Sequence, residues 1–332
     1  MTDHAAVPPP PGTAPRQLLL PQLVWEALLG LLLVAALIAG TVHWHVLRGP
    51  GLAATIAMLL LLGGALVLSL RTATPNLAVG IVMSVAALAY LRGLRAGWAV
   101  PVALLVVLAL ALVVGLVMAV LTGPLGLPGW AVSLAAVALL TAYVFGTQGR
   151  PETARPDQLW SAGTMDVVAV LVGLGTVAAG VLWQVTGVRR ALSGNRAAAV
   201  PAGLGARTVG ALVGMVGSTM LAALAGVVFT GYAGFAVTDN GSGRLVQALA
   251  VALLAGASVR GGRGPLAGTV LAAVLLALLD RITVLAGLSI GPRTLITGLA
   301  LLLGLLAGAA IDLVNRYAGR TPAVPPAYQP AG

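Results

Sequence analysis

Residues 255–281 read AGASVRGGRGPLAGTVLAAVLLALLDR, a Ser-Val-Arg-Gly-Gly-Arg-Gly-Pro turn wedged between two apolar stretches. Apolar segments separated by so short a polar turn read as membrane helices joined by a loop. Gly261, Gly262 and Gly264 permit the positive backbone angles that a sharp reversal needs. Arg260 and Arg263 hold that reversal in an aqueous layer, on the cytoplasmic side.

The rest of the chain has the same character. Of 332 residues 59% are hydrophobic and 8% charged, where a soluble domain carries roughly a quarter charged residues, so a soluble globule is excluded. The net charge of +10 comes from arginines scattered between apolar segments. Scattered arginines mark loops and helix ends and do not form the basic face that binds nucleic acid. Cysteine is absent, which excludes disulfides, thiolate nucleophiles and Cys-based metal sites.

Lysine is absent as well, so the chain has neither a Walker A lysine nor a Schiff-base lysine and is not expected to hydrolyse ATP by itself. His43 and His45 flank Trp44 and project to different sides of a helix, an interfacial cluster more than a metal site. Glu26, Asp166 and Asp239 lie in separate segments, so no carboxylate pair offers acid–base catalysis. These residues predict a transport or structural subunit, not an enzyme, with no catalytic residue, metal or cofactor.

A span needs about 20 apolar residues to cross the bilayer. Ten candidates run over residues 23–43, 51–70, 75–91, 99–121, 128–145, 166–186, 208–230, 244–258, 265–287 and 291–314. The third and eighth are short, as expected of helices buried inside a bundle. Residues 1–20 and 317–332, rich in proline, read as disordered tails around one transmembrane domain at 21–316. The loop at 187–207 carries Arg189, Arg190, Arg196 and Arg207 with no acidic residue, which places it and both termini in the cytoplasm. Arg92 and Arg95 then fall outside, against the rule. No internal repeat is legible.

Residues 256–264 also resemble a motif of the permease subunits of ribose and monosaccharide ABC importers, with Gly268 and Thr269 one turn into the helix that follows. Three further stretches are similar to that family in the same order. TATPNLAVG at 72–80 matches its T-G-G-I-D-L-S-V-G at Thr72, Leu77, Val79 and Gly80. LPGWAVSLA at 127–135 shares Pro128 and Val132, and SGNRAAAVPAGL at 193–204 matches at Gly194, Asn195, Ala198, Ala199, Ala202 and Gly203. The resemblance implies an all-α polytopic permease of the type II importer kind, with about ten transmembrane helices in a bacterial inner membrane. It implies a dimer with a second copy or a sister permease, a separate cytoplasmic ABC ATPase and an extracytoplasmic solute-binding protein. Where the family has an acidic residue and a serine, this chain has Asn76 and Ala78, and where it has two asparagines near the end of the ninth span, this chain has Asp280 and Arg281.

The chemistry of residues 71–80 points the same way without the family. Pro75 interrupts helical hydrogen bonding among Thr72, Thr74 and Asn76, and irregular backbone at membrane depth persists only when buried in protein or lining a cavity. Thr72, Thr74, Asn76 and Ser133 are therefore the expected solute path, and Gly261, Gly262 and Gly264 the gate turn. A short helix around Asn195, Arg196, Ala199 and Gly203 is expected to dock on the ATPase. Leucine at position 76 is expected to abolish transport with the fold intact. The resulting expectation is a permease that moves a small polar solute, a monosaccharide first. Nucleosides, branched-chain amino acids and a secondary-carrier mechanism remain alternatives.

Overall fold

The structure, a computed structural model, describes residues 19–44, 46–47, 51–147, 153–155, 158–184, 204–236, 240–259 and 265–318. Among these residues the chain is helical, with one isolated bridge between Thr153 and Phe235. The first six helices are α1 (Leu19–Trp44), α2 (Leu52–Arg71), α3 (Val79–Arg95), α4 (Val100–Thr122), α5 (Gly129–Gly146) and α6 (Ala162–Gln184). The seventh pass is α7 (Leu204–Ala211), a π turn (Leu212–Val216) and α8 (Gly217–Ala233) in succession. It is followed by α9 (Ser242–Leu254), α10 (Leu266–Leu285) and α11 (Ile290–Ala318).

These elements correspond to the ten expected spans. Eight are long and apolar enough to cross a membrane. The other two are α3, with 17 residues, and α9, with 13. They are the third and eighth spans, which the sequence marks as short. Bounds differ from the sequence reading by up to four residues, at Leu19, Arg95, Ala162, Leu204 and Ala318 among others, and two of the differences have a local cause. The third helix begins at Val79 and not at 75, because residues 72–78 form an irregular link. The eighth ends at Leu254 and not at 258, because Gly256 turns the chain with φ 90°.

The buried centre is α2 and α8, which pack antiparallel: Gly51 meets the Tyr232 ring at one end and Gly217 meets Leu68 at the other. Leu31, Leu139, Val181 and Leu295 on α1, α5, α6 and α11 point outward and are exposed, as lipid-facing residues must be. Helix α3 runs parallel to α8, since Gly226 lies on the Met83 carbonyl and Thr230 Oγ1 donates to the Ala87 carbonyl at 3.4 Å. Helix α9 runs with α2. The two short helices thus start from a common point, where the backbones of Gly80 and Gly241 touch, and run in opposite directions.

The packing holds a repeat that the sequence does not show. Exchanging α2 with α8, α3 with α9, α4 with α10 and α5 with α11 turns the α2–α9 contact into α8–α3 and α2–α10 into α8–α4. It likewise turns α3–α5 into α9–α11, while α2–α8 and α3–α9 map onto themselves. Because α2 and α8 are antiparallel, the repeat is inverted.

Helices α2, α3, α9 and α10 end in the same closure, with paired hydrogen bonds back to the last turn around a residue of positive φ. In α3, α9 and α10 that residue is glycine, at 97, 256 and 287. In α2 it is Ala73 at φ 55°, with its amide on the Leu70 carbonyl (3.1 Å) and that of Thr74 on the Ser69 carbonyl (2.9 Å). A side chain in this region costs about 1–2 kcal/mol. Ala73→Gly is therefore expected to raise stability by about 1 kcal/mol, read as a higher unfolding midpoint in detergent.

Candidate functional site

Thr72, Thr74, Asn76 and Ser133, chosen from sequence, come together around the link between α2 and α3, and all are 0% exposed. The Thr72 and Thr74 hydroxyls share a 2.8 Å hydrogen bond. Asn76 uses both ends of its side chain. Nδ2 donates to Ser218 Oγ on α8 at 2.7 Å, and Oδ1 accepts from the amide of Ala78 at 2.9 Å, just before α3. Ser133 on α5 donates to the Trp130 carbonyl at 3.0 Å and reaches the Pro75 carbonyl at 3.4 Å.

The seventh pass is shaped to receive this link. Beside its π turn the Ser218 and Thr219 hydroxyls both donate to the Met215 carbonyl, at 3.1 and 2.9 Å. Gly214 lies directly against the Thr72 and Thr74 hydroxyls, where any Cβ would overlap both, and Gly129 at the start of α5 packs on the Thr74 backbone. The outcome is a buried polar knot, closed by α5 and the seventh pass and tied together by its own hydrogen bonds. Asn76→Leu consequently affects the fold as well as the polarity of the site, because it strips a partner from the Ala78 amide and from Ser218.

The gate-turn residues Gly261, Gly262 and Gly264 lie outside the described residues, as do the coupling residues Asn195, Arg196, Ala199 and Gly203. The flanks of the gate turn are described. Ser258 donates to Asp312 Oδ2 at 2.9 Å, Gly268 packs on the Ala255 carbonyl, and Thr269 Oγ1 bonds the Pro265 carbonyl at 2.7 Å.

A second polar concentration lies at the opposite end of the bundle, where α2, α9 and α11 begin and α8 and α10 end. These five ends enclose a cavity of about 520 Å³. Asp280 and Arg293 form a 2.8 Å ion pair across it, joining α10 to α11. Arg244 lies over the Phe229 ring, 5.1 Å from its centroid, and donates to Gln247 at 3.0 Å. Sequence reasoning noted Asp280 as a departure from the family but missed Arg244, Gln247 and Arg293 as site residues. The available signal was that Arg293 lies inside the apolar run of α11, across a short turn from Asp280, and not in a loop.

Comparison with curated proteins adds the decisive observation. The chain is 32% identical over 259 residues to the autoinducer 2 import system permease protein LsrC of Enterobacter sp. (strain 638), covering 74% of each chain. The chain belongs to the permease family of ribose-type ABC importers. The permease is also 30% identical over 259 residues to LsrC of Salmonella typhimurium, covering 75% of this chain and 74% of that one. A shorter stretch of 83 residues is 41% identical to LsrC of Yersinia pseudotuberculosis. No family model matches the permease, and no solved structure does. Family and helices together make it a multi-pass transport subunit of the inner membrane, of an import system that works with an ATPase and a binding protein.

Proposed function

We propose that this permease forms the membrane path for a small, neutral, polyhydroxylated solute, a monosaccharide or a sugar-like molecule such as the autoinducer 2 named for its relatives, with ATP hydrolysed by a separate subunit. One observation supports a polar solute above the others: the link at residues 72–78 is held by hydroxyls and an amide, Thr72 to Thr74 and Asn76 to Ser218 and to the Ala78 amide. Threonine, serine and asparagine both donate and accept, which suits sugar hydroxyls. The absence of lysine supports an external ATPase.

In this reading Thr72, Thr74, Asn76 and Ser133 wall the path near its cytoplasmic end, and Gly261, Gly262 and Gly264 serve the gate. Both termini lie in the cytoplasm, and the cavity end faces outward. Asn195, Arg196, Ala199 and Gly203 dock on the ATPase, which drives two permease copies or a copy and a sister permease.

Two experiments test this reading. Cysteines at Asn195 and Arg196 are expected to crosslink to the ATPase, in a chain that has no other cysteine; crosslinks from control cysteines in α6 but none from these would remove the docking assignment. For the solute, competition of uptake by D-ribose, uridine and leucine in the reconstituted complex is expected to show inhibition by the sugar alone. Inhibition by leucine and not by ribose would overturn the choice of solute class.

A further inference from the structure

The cavity of about 520 Å³ at the end opposite the knot has a lining that the import reading does not by itself require. We infer that it is an outer solute subsite, holding a neutral polyhydroxylated ring before it passes toward the knot; the inference rests on the import reading above. The size is that of a small-molecule site, for which such sites range over about 300–1,000 Å³.

The chemistry of the lining selects among solutes. Gln247 accepts from Arg244 through Oε1 and keeps its amide nitrogen as a donor. The hydroxyls of Thr283 and Thr297 donate to carbonyls of their own helices, at 2.8 Å to Asp280 and 3.3 Å to Arg293, which leaves their oxygens as acceptors. Donors and acceptors in one small space suit hydroxyl groups, which do both. Asp280 is already paired with Arg293, so with Arg244 the lining is net positive and disfavours a cation. Phe229 and Phe235 stand edge to face at 5.4 Å between centroids and give the apolar wall that a sugar ring can lie against.

Its place in the fold supplies an independent reason. Under the exchange of helices that relates the two halves, the cavity, bounded by α2, α8, α9, α10 and α11, maps onto the space bounded by α8, α2, α3, α4 and α5. That second space is the knot, where Gly115, Gly123, Gly129 and Gly214 let the walls close. The two polar regions are therefore counterparts, one open and one shut, on either side of the Gly80–Gly241 contact. The Asp280–Arg293 pair is the tie between α10 and α11 that bounds the open one.

The absence of cysteine makes the test clean. Thr297→Cys, a small change at a partly exposed position, is placed in the permease and assembled with its ATPase and binding protein. A membrane-impermeant maleimide is added from the outer face, and labelling is followed with and without the sugar that the same complex imports. The expected result is labelling from outside, slowed roughly tenfold once the sugar is well above its dissociation constant, and unchanged by leucine. A second position, Gln247→Cys, is expected to show the same protection. If the complex imports the sugar but both cysteines label at unchanged rates, the cavity is not the subsite and the import reading survives. A complex with the unsubstituted permease that imports no sugar overturns both.

Discussion

Gly80→Val is expected to abolish solute uptake and to lower the yield of folded permease sharply. A Cβ at Gly80 would stand 2.9 Å from the Leu245 amide nitrogen and closer still to the Gly241 carbonyl oxygen. Both are backbone atoms at the start of α9 or just before it, so no side chain can swing away, and the starts of α3 and α9 must separate. Overpacking a well-filled core costs about 1–3 kcal/mol, and parting two backbones at the contact between the two halves lies at the upper end. Gly64→Ala is the matched control, since a Cβ there meets nothing within 4 Å. Equal unfolding midpoints for the two variants would show that the Gly80–Gly241 contact does not hold the halves together.

The second large effect belongs to Asn76. Asn76→Leu leaves the Ala78 amide without its acceptor and Ser218 without its 2.7 Å donor, in a place with no exposure. An orphaned buried polar group costs about 1–3 kcal/mol, so uptake is expected to be lost and the unfolding midpoint to fall. Asn76→Asp separates shape from charge. Its oxygens can still accept from Ala78 and, with the hydroxyl turned round, from Ser218. Burying an ionised carboxylate costs stability, so the aspartate variant is expected to unfold at a lower midpoint than the wild type. Wild-type uptake by the leucine variant would move the path away from residues 72–78.

The spans were legible because hydrocarbon thickness demands a countable run of apolar residues, and the shortness of the third and eighth was legible for the same reason. The end of α9 was not, because residues 255–258 are as small and apolar as the helix before them and only the left-handed Gly256 stops it. The π turn was hidden because LVGMV suits any membrane helix; what accompanies it is the Ser218–Thr219 pair one turn on, bonded back to Met215. Thr72, Thr74, Asn76 and Ser133 could be grouped in advance because a proline among polar residues between two apolar runs is costly unless something encloses it. The cavity could not be read this way. It is made by five helix ends distant in sequence, and Arg244, beside a Gly-rich loop, looks like the arginines that close loops elsewhere. The inverted repeat left no trace in sequence because it is carried by which helices touch, and small apolar residues satisfy those contacts in many orders.

Import driven by a partner ATPase is tested most directly by uptake of labelled D-ribose, or of autoinducer 2 should ribose not compete, into proteoliposomes assembled with and without each component. With permease, ATPase, binding protein and ATP on the cytoplasmic side, solute is expected to accumulate above its external concentration, and omission of the ATPase or of ATP should return uptake to the level of empty vesicles. Full uptake by the permease alone, driven by an imposed proton gradient, would contradict the account.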